Sequence, residues 1–236
     1  MRADTYISKK FPELSRNKIQ SLIKDSEILL DGKVLKKSSF QIENEPEIEF
    51  LKKDIFVGRG GDKLHHFLEN IDLDISNFVA LDVGASTGGF TEVLLKNGVE
   101  KVFALDVGTL QLHQKLRENP KVISIENTDI RKFETSQKFD LITCDVSFIS
   151  LSAILSDLVR LTNNYLILLF KPQFEVGKNV KRDSRGVVLD KKAIWEAEQN
   201  FIQKCENLNL KLLEKKESEI SGKKGNLETF FLFKIM

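Results

Sequence analysis

The stretch Val79-Ala80-Leu81-Asp82-Val83-Gly84-Ala85-Ser86-Thr87-Gly88-Gly89-Phe90-Thr91 carries an apolar strand into a glycine-rich turn and then into a helix beginning near Phe90. Glycines at such a junction let the backbone approach a ligand held between a strand end and a helix start. The spacing of Gly84, Gly88 and Gly89 is GxxxGG. A dinucleotide pyrophosphate requires GxGxxG for its contact with the helix N-terminus, so the turn fits S-adenosylmethionine better than NAD. Asp106, followed by Val107, closes the next apolar run, where a carboxylate can accept both hydroxyls of an adenosine ribose. Asp129, followed by Ile130, ends the segment after that, placed for its side chain or the neighbouring backbone to meet an adenine amino group. A lone Asp in such a place is more often a cap or a turn residue; acids after successive strands together favour a nucleoside ligand. Lys171 follows the apolar run Leu166 to Phe170 and precedes a proline. It therefore lies at the carboxyl end of a buried strand, where open α/β sheets bind ligands.

The elements that must position these residues follow from pattern. From Asp62 onward, helical patterns alternate with short apolar runs: Phe78 to Val83, Val102 to Asp106, Val122 to Ile125, Leu141 to Cys144, Leu166 to Phe170 and Glu228 to Ile235. Such alternation predicts βαβ units on a mostly parallel sheet, a Rossmann-like α/β domain. The first part of the chain reads differently. Ser15 is placed to cap a helix in which Ile19, Leu22 and Ile23 share one face, leaving Arg16, Lys18 and Lys24 for other faces. Ile28 to Leu30, the turn Asp31-Gly32 and Val34-Leu35 read as a hairpin. Glu43, Glu45, Glu47 and Glu49 alternate as on a solvated strand face, which Pro46 restricts to a sheet edge. The composition shift at Gly58-Arg59-Gly60-Gly61 marks a boundary, dividing the chain into residues 1–59, a small α+β module with its linker, and residues 60–236.

Composition narrows the function class. With 41% hydrophobic and 30% charged residues the chain is globular. Its formal net charge of +1 gives no global sign of a polyanionic partner, yet the first forty residues hold nine basic against five acidic side chains. Cys144 and Cys205 lack a CxxC spacing, which argues against a disulfide framework or a zinc site and for a reducing, cytoplasmic compartment. His65, His66 and His113 have no metal-like spacing with other ligands. The first residues lack a signal-peptide h-region, and the apolar run Tyr165 to Phe170 is too short to cross a bilayer.

The motifs Asp82-Val-Gly-Ala-Ser-Thr-Gly-Gly-Phe-Thr91, Asp145-Val-Ser-Phe-Ile-Ser150, Lys171-Pro-Gln-Phe-Glu175 and Gly225-Asn-Leu-Glu228 together resemble the TlyA family of ribosomal RNA 2′-O-methyltransferases, related to FtsJ and often called haemolysins. Arg2-Ala-Asp4, Ser15-Arg16 and Asp31-Gly32-Lys33 look like the S4 RNA-binding domain of that family. The resemblance implies a catalytic tetrad of Lys63, Asp145, Lys171 and Glu228. It also implies S-adenosylmethionine as cofactor, held by Asp82, Gly84, Ala85, Ser86, Gly88, Gly89, Phe90, Asp106, Val107, Asp129 and Ile130, with no metal. The expected partner is ribosomal RNA or a ribosomal subunit, with Arg2, Arg16, Lys18, Lys24 and Arg59 as its contacts. The shorter members point to cytidine in large-subunit RNA, with the small subunit as the other target; oligomeric state is open. Methyl transfer from a sulfonium is an in-line displacement, and a lysine can remove the ribose proton only when neutral. Burial and a second cation both favour the neutral amine, while Asp145 and Glu228 oppose that shift and orient the amines. Lys171 is accordingly the expected base, with Asp145 and Lys63 orienting it and Glu228 holding Lys63 or the ribose. The rival expectations are an RNA-binding scaffold without activity, a membrane-active haemolysin, and an NAD-dependent dehydrogenase.

Overall fold

The computed structural model describes residues 1–236, which form two compact units, Met1–Arg59 and Gly60–Met236. In the first, α1 (Ala3–Lys10) and α2 (Arg16–Lys24) pack with a three-stranded antiparallel sheet of β1 (Ile28–Leu30), β2 (Lys33–Val34) and β3 (Ile48–Phe50), ordered β2-β1-β3. Ser15 caps α2 by accepting the Lys18 amide hydrogen on its hydroxyl. The β1–β2 turn places Asp31 at φ 47° and Gly32 at φ 72°, left-handed at both central positions, as a tight hairpin requires. Pro46 precedes β3, which is short and lies at the sheet edge. Ala3, Ile7, Ile19, Leu22, Ile23 and Ile28 form the core of this unit.

One charged expectation changes here. Lys18 is only 6% exposed. It stands four residues before Leu22 and so shares the helix's buried face, where its aliphatic stem is apolar surface; Arg16 and Lys24 are exposed. Asp4 is wholly buried as well. Its carboxylate accepts hydrogen bonds from Arg2, Arg16 and Gln20.

The second unit is built on a seven-stranded sheet ordered β6-β5-β4-β7-β8-β10-β9. Its strands are β4 (Val79–Val83), β5 (Lys101–Leu105), β6 (Val122–Ile125), β7 (Phe139–Cys144), β8 (Thr162–Phe170), β9 (Leu210–Glu217) and β10 (Thr229–Ile235). β6 through β8 in that order run parallel, while β10 lies antiparallel between β8 and β9. The helices are α3 (Arg59–Glu69), α4 (Gly89–Lys96), α5 (Gln114–Arg117), α6 (Leu155–Leu161), α7 (Pro172–Glu175) and α8 (Lys191–Glu206). Leu155, Leu158 and Leu161 of α6 and Phe201 and Cys205 of α8 join Leu81, Ile142, Leu166, Leu168, Phe170, Phe231 and Phe233 in the main core. β9 is an element that the apolar runs did not announce: beyond Leu210, Leu212 and Leu213 its residues are Lys and Glu, as suits an edge strand. Both cysteines are free and buried.

The Asp4 cluster makes the first unit acid-sensitive. The hydrogen bond from Arg2 is the chief reason that the Asp4 carboxyl is held well below its ordinary range. A depressed folded value adds stability above the unfolded value of about 4 and loses it as pH falls through the folded value. Asp4→Ala should therefore destabilise this unit at neutral pH by about 2 kcal/mol, the scale of hydrogen bonds to a charged group. The deficit should shrink in strong acid. Hydrogen exchange at the amides of α1 and α2 measures it; an equal deficit at both pH values would show that the carboxylate charge is not what stabilises the unit.

Candidate active site

The register of the sheet sets a row of chemical groups along its carboxyl edge. Asp106 follows β5, Gly84 follows β4 and Asp145 follows β7, with Val83 paired to Leu105 on one side and to Cys144 on the other. Thr229 pairs with Phe170 in the antiparallel ladder, so Glu228 and Lys171, the next residue on each strand, come to the same edge. Backbone pairing alone thus brings residues 84, 106, 145, 171 and 228 to one side of the sheet.

Two ion pairs occupy the right half of that row. Lys171 Nζ lies 2.5 Å from Asp145 Oδ1 and donates to Ser147 Oγ at 3.1 Å. Lys63 Nζ lies 2.5 Å from Glu228 Oε2, with both side chains buried. The first turn of α3 connects the pairs: a Cβ at Gly60 would stand 3.3 Å from Asp145 Oδ2, and Lys63 is one helical turn further on. Each buried amine meets a carboxylate, which an unpaired charge in this setting would require at a cost of several kcal/mol. The Lys171 pair is the more open of the two, its carboxylate being 20% exposed against 3% for Glu228.

The left half holds the glycine turn. Gly84 has φ 82°, and a Cβ there would fall 2.7 Å from the Asp145 carbonyl oxygen. Gly88 has φ 95°, and a Cβ would collide with the Leu116 side chain. Both positions require glycine through their left-handed φ, and at Gly84 the Asp145 backbone also leaves no room for a side chain, reasons distinct from the ligand approach expected from sequence. Asp106 accepts the Ser86 amide hydrogen at 2.8 Å and that of Gly108 at 2.7 Å. Ala85, Ser86, Asp106, Gly108, Gln111, Leu112, Ser124 and Glu126 line a narrow cleft there, and Glu126 Oε1 is buried in it with no hydrogen-bond partner. The Asp106 carboxylate and the unpartnered Glu126 oxygen beside the glycine turn suit the hydroxyls and amino groups of a nucleoside, so the residues present fit S-adenosylmethionine.

Other expected contacts resolve individually. Asp82 is fully buried and accepts hydrogen bonds from the hydroxyls of Thr91 and Thr143, so it ties α4 to β7 from within. Burial pushes its carboxyl up to about 6. Asp129 is bound by Arg131 through Nε and Nη2 and accepts the Arg131 amide hydrogen, and the hydrogen bonds from Arg131 draw its carboxyl down to about 2. With its oxygens so engaged, the backbone of Asp129 and Ile130 is the part of that segment left for an adenine, and the Ile130 side chain is in the core. Val107 is exposed, and the Phe90 ring is buried against Phe230. Among the basic residues singled out from sequence, Arg2, Arg16, Lys24 and Arg59 are exposed, with Arg2 and Arg16 held by Asp4.

Two residues beside the tetrad carry weight that sequence reading missed. Phe148, in the loop after Asp145, is 92% exposed at φ 68° and faces Phe174 with ring centroids 5.4 Å apart. A bare aromatic ring in a left-handed, bulky-residue conformation is an outlier that points to function. Glu175 accepts the Leu151 amide hydrogen at 2.7 Å, joining α7 to the far end of that loop, and burial raises its carboxyl to about 7. The signal for Phe148 was present in the motif Asp145 to Ser150; its exposure was not.

Comparison with known proteins gives the family. The model of the FtsJ-like methyltransferase matches residues 56–235, and that of the S4 domain matches residues 1–47. The chain is 45% identical to the 23S rRNA (cytidine-2′-O)-methyltransferase TlyA of Campylobacter jejuni, across 99% of each chain. It is 33% identical to the 16S/23S rRNA (cytidine-2′-O)-methyltransferase TlyA of Mycobacterium tuberculosis, across 97% of this chain and 88% of the relative. The solved structure of a haemolysin candidate from Streptococcus thermophilus superposes with a TM-score of 0.78 at 30% identity, covering 100% of this chain and 88% of that one. No helix here is long and apolar enough to cross a membrane.

The buried Asp82 gives the site a measurable signature. Its folded value of about 6 exceeds the unfolded value of about 4, so the native state binds the extra proton and stability declines as pH rises across that window. Asp82→Asn keeps the size and the hydrogen-bonding capacity without the charge. Thermal unfolding between about pH 4 and pH 8 should show the wild type losing ground to the variant across that window. Parallel profiles would mean that Asp82 is ionised at little cost.

Proposed function

The chain belongs to the FtsJ-like methyltransferase family, and from that premise we propose that it transfers the methyl group of S-adenosylmethionine to the ribose 2′ oxygen of a cytidine in large-subunit ribosomal RNA. The observation that carries this reading is the pairing of Lys171 with Asp145 at the carboxyl edge, one strand from the glycine turn. The substrate class is supported by the relatives' activities, and the large subunit by the more similar of the two.

S-adenosylmethionine supplies an electrophilic methyl on a sulfonium. Asp106 would hold its ribose hydroxyls, the Gly84 to Ser86 turn its backbone-facing side, and the Asp129–Ile130 segment its adenine. The chain's own residues do the rest. Lys171 takes the 2′ proton as the oxygen attacks, and Asp145 and Ser147 fix the direction of the amine. Asp145 also stabilises the ammonium that results. Lys63 and Glu228, the more buried pair, hold the edge of the site and orient the ribose. The exposed Phe148 ring offers a face on which an unstacked base can lie, since chemistry on one nucleotide of a folded RNA requires that nucleotide to leave its stack. The S4 domain, with Arg2, Arg16 and Lys24 exposed, supplies sequence-independent contacts to phosphate. The reaction places the protein with ribosomes in the cytoplasm.

Incubation with methyl-labelled S-adenosylmethionine and ribosomal subunits from cells lacking the enzyme tests the reading, with mapping of the labelled nucleotide. Label in a cytidine ribose of large-subunit RNA is expected; label elsewhere, or none on either subunit or free RNA, would refute it. Lys171→Ala should lower the rate of the chemical step by about 10²–10⁴-fold, the usual contribution of a positioned general base, and leave cofactor affinity intact. Phe148→Ala should chiefly raise KM for RNA, by the equivalent of about 1–3 kcal/mol of stacking. Steady-state kinetics separates the two: an effect of Phe148→Ala on kcat alone would remove the stacking role.

A further inference from the structure

Beyond the S4 domain, a second basic surface lies on the catalytic unit itself. Residues 181–188 form a short hairpin, with Arg182 bridged to Val188 and the Leu189 amide donating to the Lys181 carbonyl. Residues 222–226 form a turn closed by the Gly222 amide donating to the Asn226 carbonyl. Asn226 is buried and clamps the two together: its Oδ1 accepts the Val188 amide hydrogen at 3.0 Å and its Nδ2 donates to the Gly186 carbonyl at 3.4 Å. Arg185 Nη1 consequently lies 4.0 Å from where a Cβ of Gly225 would stand. The clamped pair presents Lys181, Arg185, Lys223 and Lys224, all exposed. Of the acids nearby in the chain, Asp183 is bound to Arg185 and Asp190 caps α8.

This surface is joined to the tetrad. Gly222 packs on the Glu228 carboxylate so closely that a Cβ would fall 2.5 Å from Oε1. Lys223 and Lys224 come directly after it, and Asn226 stands two residues before Glu228. A chain with a net charge of only +1 has gathered four cations on two hydrogen-bonded turns next to Glu228. Solvated lysines alone would need no clamp between the two turns that carry them.

We propose that Lys181, Arg185, Lys223 and Lys224 form an RNA-docking surface that grips backbone phosphates flanking the target ribose, with Asn226 as the positioning residue that fixes it relative to Glu228. The inference rests on RNA being the substrate. It makes the catalytic unit a second phosphate reader, one that aligns the strand at the reacting nucleotide.

The test uses the full-length protein and its variants, with binding to naked large-subunit RNA measured across salt concentrations and methyl transfer measured in parallel. Replacing Lys181, Arg185, Lys223 and Lys224 together by Ala should weaken RNA binding. It should flatten the plot of log affinity against log salt by about 0.7–0.9 for each phosphate that the variant no longer neutralises. KM for RNA should rise while cofactor affinity and kcat at saturating RNA hold. Lys223→Glu with Lys224→Glu should weaken binding further than the corresponding Ala pair. Asn226→Ala leaves every charge in place and should still raise KM. An unchanged salt slope in the fourfold variant would overturn the proposal while leaving the methyltransferase reading intact. So would a defect seen only on assembled subunits, which would assign the surface to a ribosomal protein. If the wild type methylates no RNA, the functional reading fails, and the salt slope still decides the docking surface.

Discussion

The parallel register of β4, β7 and β8, with β10 inserted antiparallel beside them, is the constraint on which the site depends. Ladder hydrogen bonds fix where each strand ends relative to its neighbour, and Gly84, Asp106, Asp145, Lys171 and Glu228 each sit just past such an end. The tightest link is between β4 and β7: the Asp145 amide donates to the Val83 carbonyl, and the Asp145 carbonyl leaves no room for a side chain at residue 84. The glycine turn and the carboxylate proposed for catalysis are therefore one mechanical piece. A shift of either strand by one residue would exchange faces and move the acid from the edge into the core.

Charge burial explains why the tetrad is arranged as pairs. Removing a carboxylate or an ammonium from water costs more than an isolated group can recover, and close pairing offsets most of it. Each lysine has one acid, and the two pairs differ in exposure in the direction that their proposed roles demand: the base must be reached by substrate, whereas the supporting pair need not be. Asp82 solves the same problem differently. With no cation beside it, it relies on two hydroxyl donors and on a raised proton affinity.

The parallel strands were legible because buried strands read as uninterrupted apolar runs, and Lys171 was legible because such a run ended on it. β9 was not, since an edge strand can be largely Lys and Glu and still pair. Lys18 misled because a basic residue is taken as solvent-facing, although its spacing from Leu22 already placed it on the buried face. Asp129 was read from its place after an apolar run as an adenine contact through its side chain or the neighbouring backbone, and its side chain has a partner two residues away that position alone does not reveal. The glycines of the turn were seen, while the Asp145 backbone that excludes a side chain at Gly84 is remote in sequence and emerges only in the fold. Phe148 was quoted within a motif without its exposure, which depends on how the loop leaves β7.

Glu228 connects the two kinds of work proposed for the catalytic unit. On one side its carboxylate holds Lys63, and through the first turn of α3 that contact reaches the backbone lying against Asp145. On the other side it is covered by Gly222, the first residue of the basic turn. A phosphate bound at Lys223 and Lys224 would therefore press on the same small volume that supports the ribose, with no flexible segment between. Binding energy gathered from parts of the RNA that do not react is in this way set beside the atom that does, and because it is realised in the ground state and the transition state alike it tightens the complex and leaves the turnover at saturation in place.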